Sequence, residues 1–186
     1  MHALSKPERE LATLVASSYA ALVGCGVAVA AVVHFVAAGP MRSWLDFRFP
    51  AVDRSPARIL EILGSNVRLA ALGVAAAIVV GWRVDEQSRN APAVKLTRAC
   101  CDLVIASAVA YNAFIIGGAL GAYGWRLVAV LLPHAPVELL GFSLPLGLYR
   151  RARARRIGGG EVAWVGSVAL MTLSLAAVLE TFLGGR

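Results

Sequence analysis

Five stretches of this chain are nearly free of charged side chains, and no other feature limits its fold as tightly. Leu11 to Met41, Leu69 to Trp82 and Leu103 to Trp125 contain no Asp, Glu, Lys or Arg. The second of these extends back to Ile59 if Glu61 and Arg68 are allowed. Leu127 to Tyr149 is interrupted only by Glu138, and Val162 to Leu183 only by Glu180. A helix needs about 20 apolar residues to cross the hydrocarbon layer of a bilayer, and each stretch supplies them. Charged residues make up 16% of the chain and are bunched between these stretches, as expected when lipid excludes charge and water accepts it.

The sequence therefore predicts an all-α, polytopic membrane bundle of five transmembrane helices. The spans run over about 12–38, 59–82, 97–123, 125–149 and 162–183, and residues 1–186 form a single membrane domain. The first stretch is about twice the length of a signal-peptide core and reads as a retained helix. Cys25, Cys100 and Cys101 offer neither a metal-binding spacing nor a disulfide framework, so they read as small packing residues.

The net charge of +7 fits the positive-inside bias of membrane proteins better than nucleic-acid binding, for which no reading module is present. With the run Arg150, Arg151, Arg153, Arg155 and Arg156 in the cytoplasm, the inside also holds Lys6, Arg9, Arg83, Arg89, Lys95 and Arg98. Only Arg42, Arg48, Arg54, Arg58, Arg126 and Arg186 lie outside. The N-terminus is then cytoplasmic and the C-terminus external. The loop Gly39 to Arg58 carries Trp44, Phe47 and Phe49 among charges and is broken by Pro40, Pro50 and Pro56. It reads as a segment lying in the headgroup layer.

Two features foretell helix packing. Ala113, Gly117 and Gly121 recur at four-residue spacing in the third span, which lets backbones approach closely, either within the bundle or between two copies of the chain. The fourth span holds Pro133, Pro136 and Pro145, each removing a backbone donor. Broken helix at membrane depth persists where it is buried in protein or lines a wet cavity, so this span is expected to be kinked and interior.

The residues that lipid should exclude are Asn66 and Arg68, Asn112, His134 and Glu138, and Glu180, on four different spans. Counted along the spans at 1.5 Å per residue, they lie roughly 5 to 20 Å below the outer surface. Groups of this kind face the bundle interior in partnership, so one shared polar site or outward-facing cavity is expected. His134, Glu138 and Glu180 are the candidate catalytic residues, and Asn66, Arg68 and Asn112 the candidate binding residues. Arg68 can reach outward or pair with Glu138 or Glu180. The metalloprotease pattern of two histidines flanking a glutamate is absent; a metal site of His134 with Glu138 and Glu180 is a minor alternative, and the main reading calls for no metal and no cofactor. Polar residues in such a bundle can equally serve to pin helices together.

The segment Leu131-Leu132-Pro133-His134-Ala135-Pro136-Val137-Glu138-Leu139 resembles the Leu-Pro-His-Gly-x-x-Glu-Leu signature of the stage II sporulation protein M family. Asn112-Ala113-Phe114-Ile115-Ile116-Gly117-Gly118, Ile62-Leu63-Gly64-Ser65-Asn66 and Ala176-Ala177-Val178-Leu179-Glu180 are similar to further motifs of that family in the same order. The chain departs from it at Ala135 and Ala113, where the family has glycine, and in the added Pro136. The resemblance, from about Ile59 onward, implies a five-helix protein of the bacterial inner membrane. Sporulation members hold a membrane complex with peptidoglycan-degrading proteins, and other relatives accompany circular bacteriocin maturation, export or immunity.

The leading expectation is thus a non-enzymatic scaffold or export-associated subunit with a polar cavity in the outer half of the bilayer. Its partners would be lipid, a membrane or envelope protein, a hydrophobic peptide or a second copy of the chain. The alternative is an intramembrane enzyme or maturation factor that hydrolyses a hydrophobic peptide or lipid, with His134 as acid and base beside Glu138 and Glu180. Ser65 and Ser143 are the only hydroxyls offered as nucleophiles. A small-molecule or ion transporter is third, and it lacks the paired broken helices such proteins use.

Overall fold

A computed structural model describes residues 6–45, 55–82 and 91–183. It is a polytopic bundle of α-helices with no strand among the described residues. The helices are α1 (Lys6–Val36), α2 (Ala38–Leu45), α3 (Pro56–Trp82), α4 (Pro92–Tyr123), α5 (Trp125–Leu131), α6 (Ala135–Ala154) and α7 (Gly159–Leu183). Four of them, α1, α3, α4 and α7, are long and apolar enough to cross a membrane by themselves. Helices α5 and α6 make a fifth span together, bent by 67° at the intervening residues.

The bend follows from the prolines. Pro133 has no N–H to continue the α5 ladder, and the chain turns through Leu132, Pro133 and His134. The last regular bonds run from Leu132 N–H to the Val128 carbonyl and from His134 N–H to the Leu131 carbonyl. Pro136 then sits in the first turn of α6, where its missing donor costs nothing. Pro145, well inside α6, is buried and meets the bare backbone of Gly73 on α3. A Cβ built on Gly73 would lie 2.8 Å from that of Pro145.

Helix α6 is central and packs against α1, α3 and α7, while α4 lies outside it against α1. The close approaches use glycine. Gly141 of α6 meets Leu173 of α7, and Gly147 meets Val15 of α1. On α4, Gly117 lies against Gly26 and Val29, and Gly121 against the Ala30 carbonyl and Val33. The stripe of small residues is therefore filled by α1 of the same chain. That leaves this face closed to a second copy.

The segment after α1 begins with the short helix α2. Pro40 is accommodated in its first turn, where a proline breaks no bond. Met41 is buried against Gly118 of α4. Arg42 Nε donates to the Ala122 carbonyl, and Tyr123 Oη donates to the Arg42 carbonyl at 3.3 Å. The Ala122 carbonyl, one of those at the end of α4 with no partner within its own helix, is thereby satisfied. The chain then reverses into α5 at Gly124, whose φ of 59° favours a residue without a Cβ. Phe47 and Phe49, expected in the headgroup layer, lie outside the described residues, as do Arg83 and Arg89.

The opposite end of the bundle is held by charge. Arg151 on α6 is 3% exposed. It pairs with Glu161 of α7 at 2.9 Å and donates to the Pro7 carbonyl of α1 at 2.7 Å. Asp102 of α4 accepts from Tyr149 Oη at 2.7 Å and pairs with Arg153 at 3.2 Å. Arg150 donates to Ser17 Oγ on α1 at 2.6 Å. The arginine run, which the sequence places in the cytoplasm, is thus also a clasp joining α1, α4, α6 and α7.

Candidate functional site

Three of the polar residues singled out in the sequence meet near the bend. His134 closes the α5–α6 turn and forms the N-cap of α6, its carbonyl accepting from the N–H groups of Val137 and Glu138. Those bonds place Glu138 one turn further along, beside the His134 ring. Glu180 arrives from the last turn of α7. One ligand-capable atom from each of His134, Glu138 and Glu180 lies within 4.8 Å of those of the other two. His134 Nε2 and a Glu180 oxygen are 4.0 Å apart.

Asn66 of α3 completes the group, its carboxamide facing the Glu138 side chain. Four groups from three separate stretches of chain therefore converge. The two carboxylates lie close enough to repel each other, and the Arg58 guanidinium, at the start of α3, acts electrostatically on Glu180. Arg58 itself pairs with Glu61 at 2.7 Å. His134 is 3% exposed, and its Nδ1 finds no hydrogen-bond partner among the described residues.

The remaining candidates lie elsewhere. Arg68 is exposed and makes no ion pair among the described residues. Two residues beyond Asn66 is about 200° around a helix, so a helix that turns Asn66 inward turns Arg68 out. Arg58 takes the role the sequence allowed Arg68. Asn112 donates to the Ala108 carbonyl of its own helix at 2.8 Å. Ser143 is fully buried and donates to the Leu139 carbonyl at 2.6 Å, so its hydroxyl is spent on its own helix. Ser65 is exposed.

Beside the cluster lies a partly open cavity of about 380 Å³ between α1, α3, α4, α5 and α6. Its walls are aliphatic and aromatic; Tyr19, Asn112 and Glu138 are the lining side chains that carry polar atoms. Exposed Val23, Val27, Leu72, Ile116 and Leu132 border it, so it faces the lipid phase. Glu138 belongs to both places: it is a member of the polar cluster and a wall of the apolar cavity. The sequence leads to a polar, outward-facing cavity; it does not foretell an apolar one open at the side, because that is a gap between helices rather than a pattern within one.

No family model matches the chain, and neither the curated proteins nor the solved structures give a match.

Proposed function

We propose that this membrane protein is a hydrolase that acts on the polar end of an amphiphilic peptide or lipid, with the apolar part of the substrate seated in the cavity. The observation that carries this reading is the double membership of Glu138. A carbonyl brought to that residue by a chain lying in the cavity would meet an imidazole, two carboxylates and a carboxamide at once. The cavity falls in the size range of ordinary ligand sites, mostly apolar with a few convergent polar groups.

Water is the nucleophile that fits, since Ser143 is engaged with its own helix. Glu138 or His134 takes a proton from water as the oxygen adds to the carbonyl carbon. The same proton then passes to the leaving nitrogen or oxygen as the acyl bond breaks. Asn66 orients Glu138 from its facing position. General acid–base groups of this kind contribute about 10²- to 10⁴-fold to rate.

The arginine end belongs in the cytoplasm on the positive-inside bias, which turns the cluster toward the outer face of a bacterial cell membrane. The motif resemblance to the stage II sporulation protein M family supports that location. It also supports envelope or peptide partners of the kind those proteins meet.

Glu138→Gln keeps the shape of the side chain and removes its basicity. Membranes from cells producing wild type or the Gln variant, compared by mass spectrometry, are expected to differ in one class of peptide or lipid. The uncleaved form should accumulate by about 10²-fold or more in the variant. Identical profiles, with both forms folded, would return the chain to the scaffold reading.

A further inference from the structure

We propose that His134, Glu138 and Glu180 bind one divalent cation of the zinc class, with Asn66 holding Glu138 in its ligating orientation. This deepens the hydrolase reading and rests on it only for what the ion would do to a water molecule. Binding of the ion is tested separately.

The geometry points to a cation in three ways. The donor atoms already lie within 4.8 Å of one another. Donors held tetrahedrally by one ion at about 2.0–2.2 Å lie roughly 3.4 Å apart, so side-chain rotations that move the donors by about 1 Å close the set. The imidazole is almost fully buried and turns its Nε2 toward a Glu180 oxygen at 4.0 Å, too far for a direct hydrogen bond and near enough for both to reach one ion. The two carboxylates repel each other in a setting whose neighbours are mostly apolar, and a positive ion between them removes that repulsion.

The donor types narrow the choice. One imidazole with two carboxylates suits zinc, manganese or iron; magnesium and calcium favour all-oxygen sites, and soft ions favour thiolates. Three protein ligands leave a fourth position for water, which is the pattern of catalytic rather than structural zinc sites. Asn66, facing a ligating carboxylate, corresponds to the outer partners that commonly orient metal ligands. The sequence offers this trio only as a minor reading, because its ligands come from the α5–α6 turn and from the far end of α7 and match no linear metal motif.

The test uses the full chain in detergent with Cys25, Cys100 and Cys101 replaced by serine, so that thiols cannot take up metal. Zinc is expected to bind with a stoichiometry of one and to raise the unfolding temperature, and an excess of magnesium should not displace it. Cobalt in its place should give visible absorption of a four- or five-coordinate site. His134→Gln and Glu180→Gln should weaken zinc binding more than a hundredfold, and Asn66→Ala by about 10- to 100-fold. No stoichiometric zinc in the wild-type site overturns the proposal, as does binding that survives both ligand substitutions. Zinc that binds as described while the Glu138→Gln membranes stay unchanged would sink the hydrolase reading and keep the metal site.

Discussion

Arg151 is the residue whose environment departs most from what its neighbours suggest. Four other arginines surround it in sequence, yet it alone of the five is buried, with Glu161 and the Pro7 carbonyl as its partners. Removing one member of a buried pair leaves the other uncompensated, at a cost of about 3–5 kcal/mol. Glu161 keeps 22% exposure, which lets water soften the loss. Arg151→Ala should therefore cost up to about 3 kcal/mol, read as a lower unfolding midpoint in detergent. The double variant Arg151→Ala with Glu161→Ala should lose less than the sum of the two singles, because the partners couple. At this scale the polar cluster was legible and the clasp was not. Asn66, His134, Glu138 and Glu180 stood out because lipid has no use for them. Arg151 did not, because a run of arginines at a helix end looks solvated until the phase of α6 against α1 and α7 is known. Arg68 and Arg58 changed places for the same reason: helical phase is invisible in a list of charges.

At the scale of elements, the α1–α4 contact shows how membrane helices pair without a hydrophobic drive. Gly117 and Gly121 let the two backbones meet, and a Cβ at Gly121 would run into the Ala30 carbonyl. Gly121→Leu should separate the helices and cost about 1–3 kcal/mol by overpacking. Gly64→Ala on α3, where a Cβ would meet nothing within 4 Å, should leave the unfolding midpoint unchanged or slightly raised. Thermal denaturation of both variants in one detergent checks the contrast. The four-residue repeat of small side chains on α4 was readable in advance, but which helix it would receive was not. The break in the fourth span was also readable, since three prolines cannot sit in one straight helix. Helix α2 was obscured by Pro40, which breaks a helix in its interior and starts one at its beginning.

For the whole molecule, the exclusion of charge from lipid accounts for the number and the approximate limits of the spans. The described helices begin a few residues before the apolar stretches, because water-facing first turns continue the same backbone bonds. Orientation rests on the distribution of arginine and lysine. Alkaline phosphatase fused after Arg186 should be active, and the same enzyme placed between α3 and α4 should be inactive. The reverse pattern would turn the bundle over and put the cluster on the cytoplasmic side.

The 67° bend also sets how deep the chemistry lies. The seven residues of α5 are only about 10 Å long. At that angle they advance about 4 Å along the direction of α6. His134 thus lies less than one helical turn along the direction of α6 from the start of α5 at Trp125, and if α6 stands along the membrane normal the cluster sits close to the headgroups. On the hydrolase proposal a substrate would not have to leave the bilayer to be wetted: its tail would stay among tails, and only its reactive bond would be lifted to the waterline.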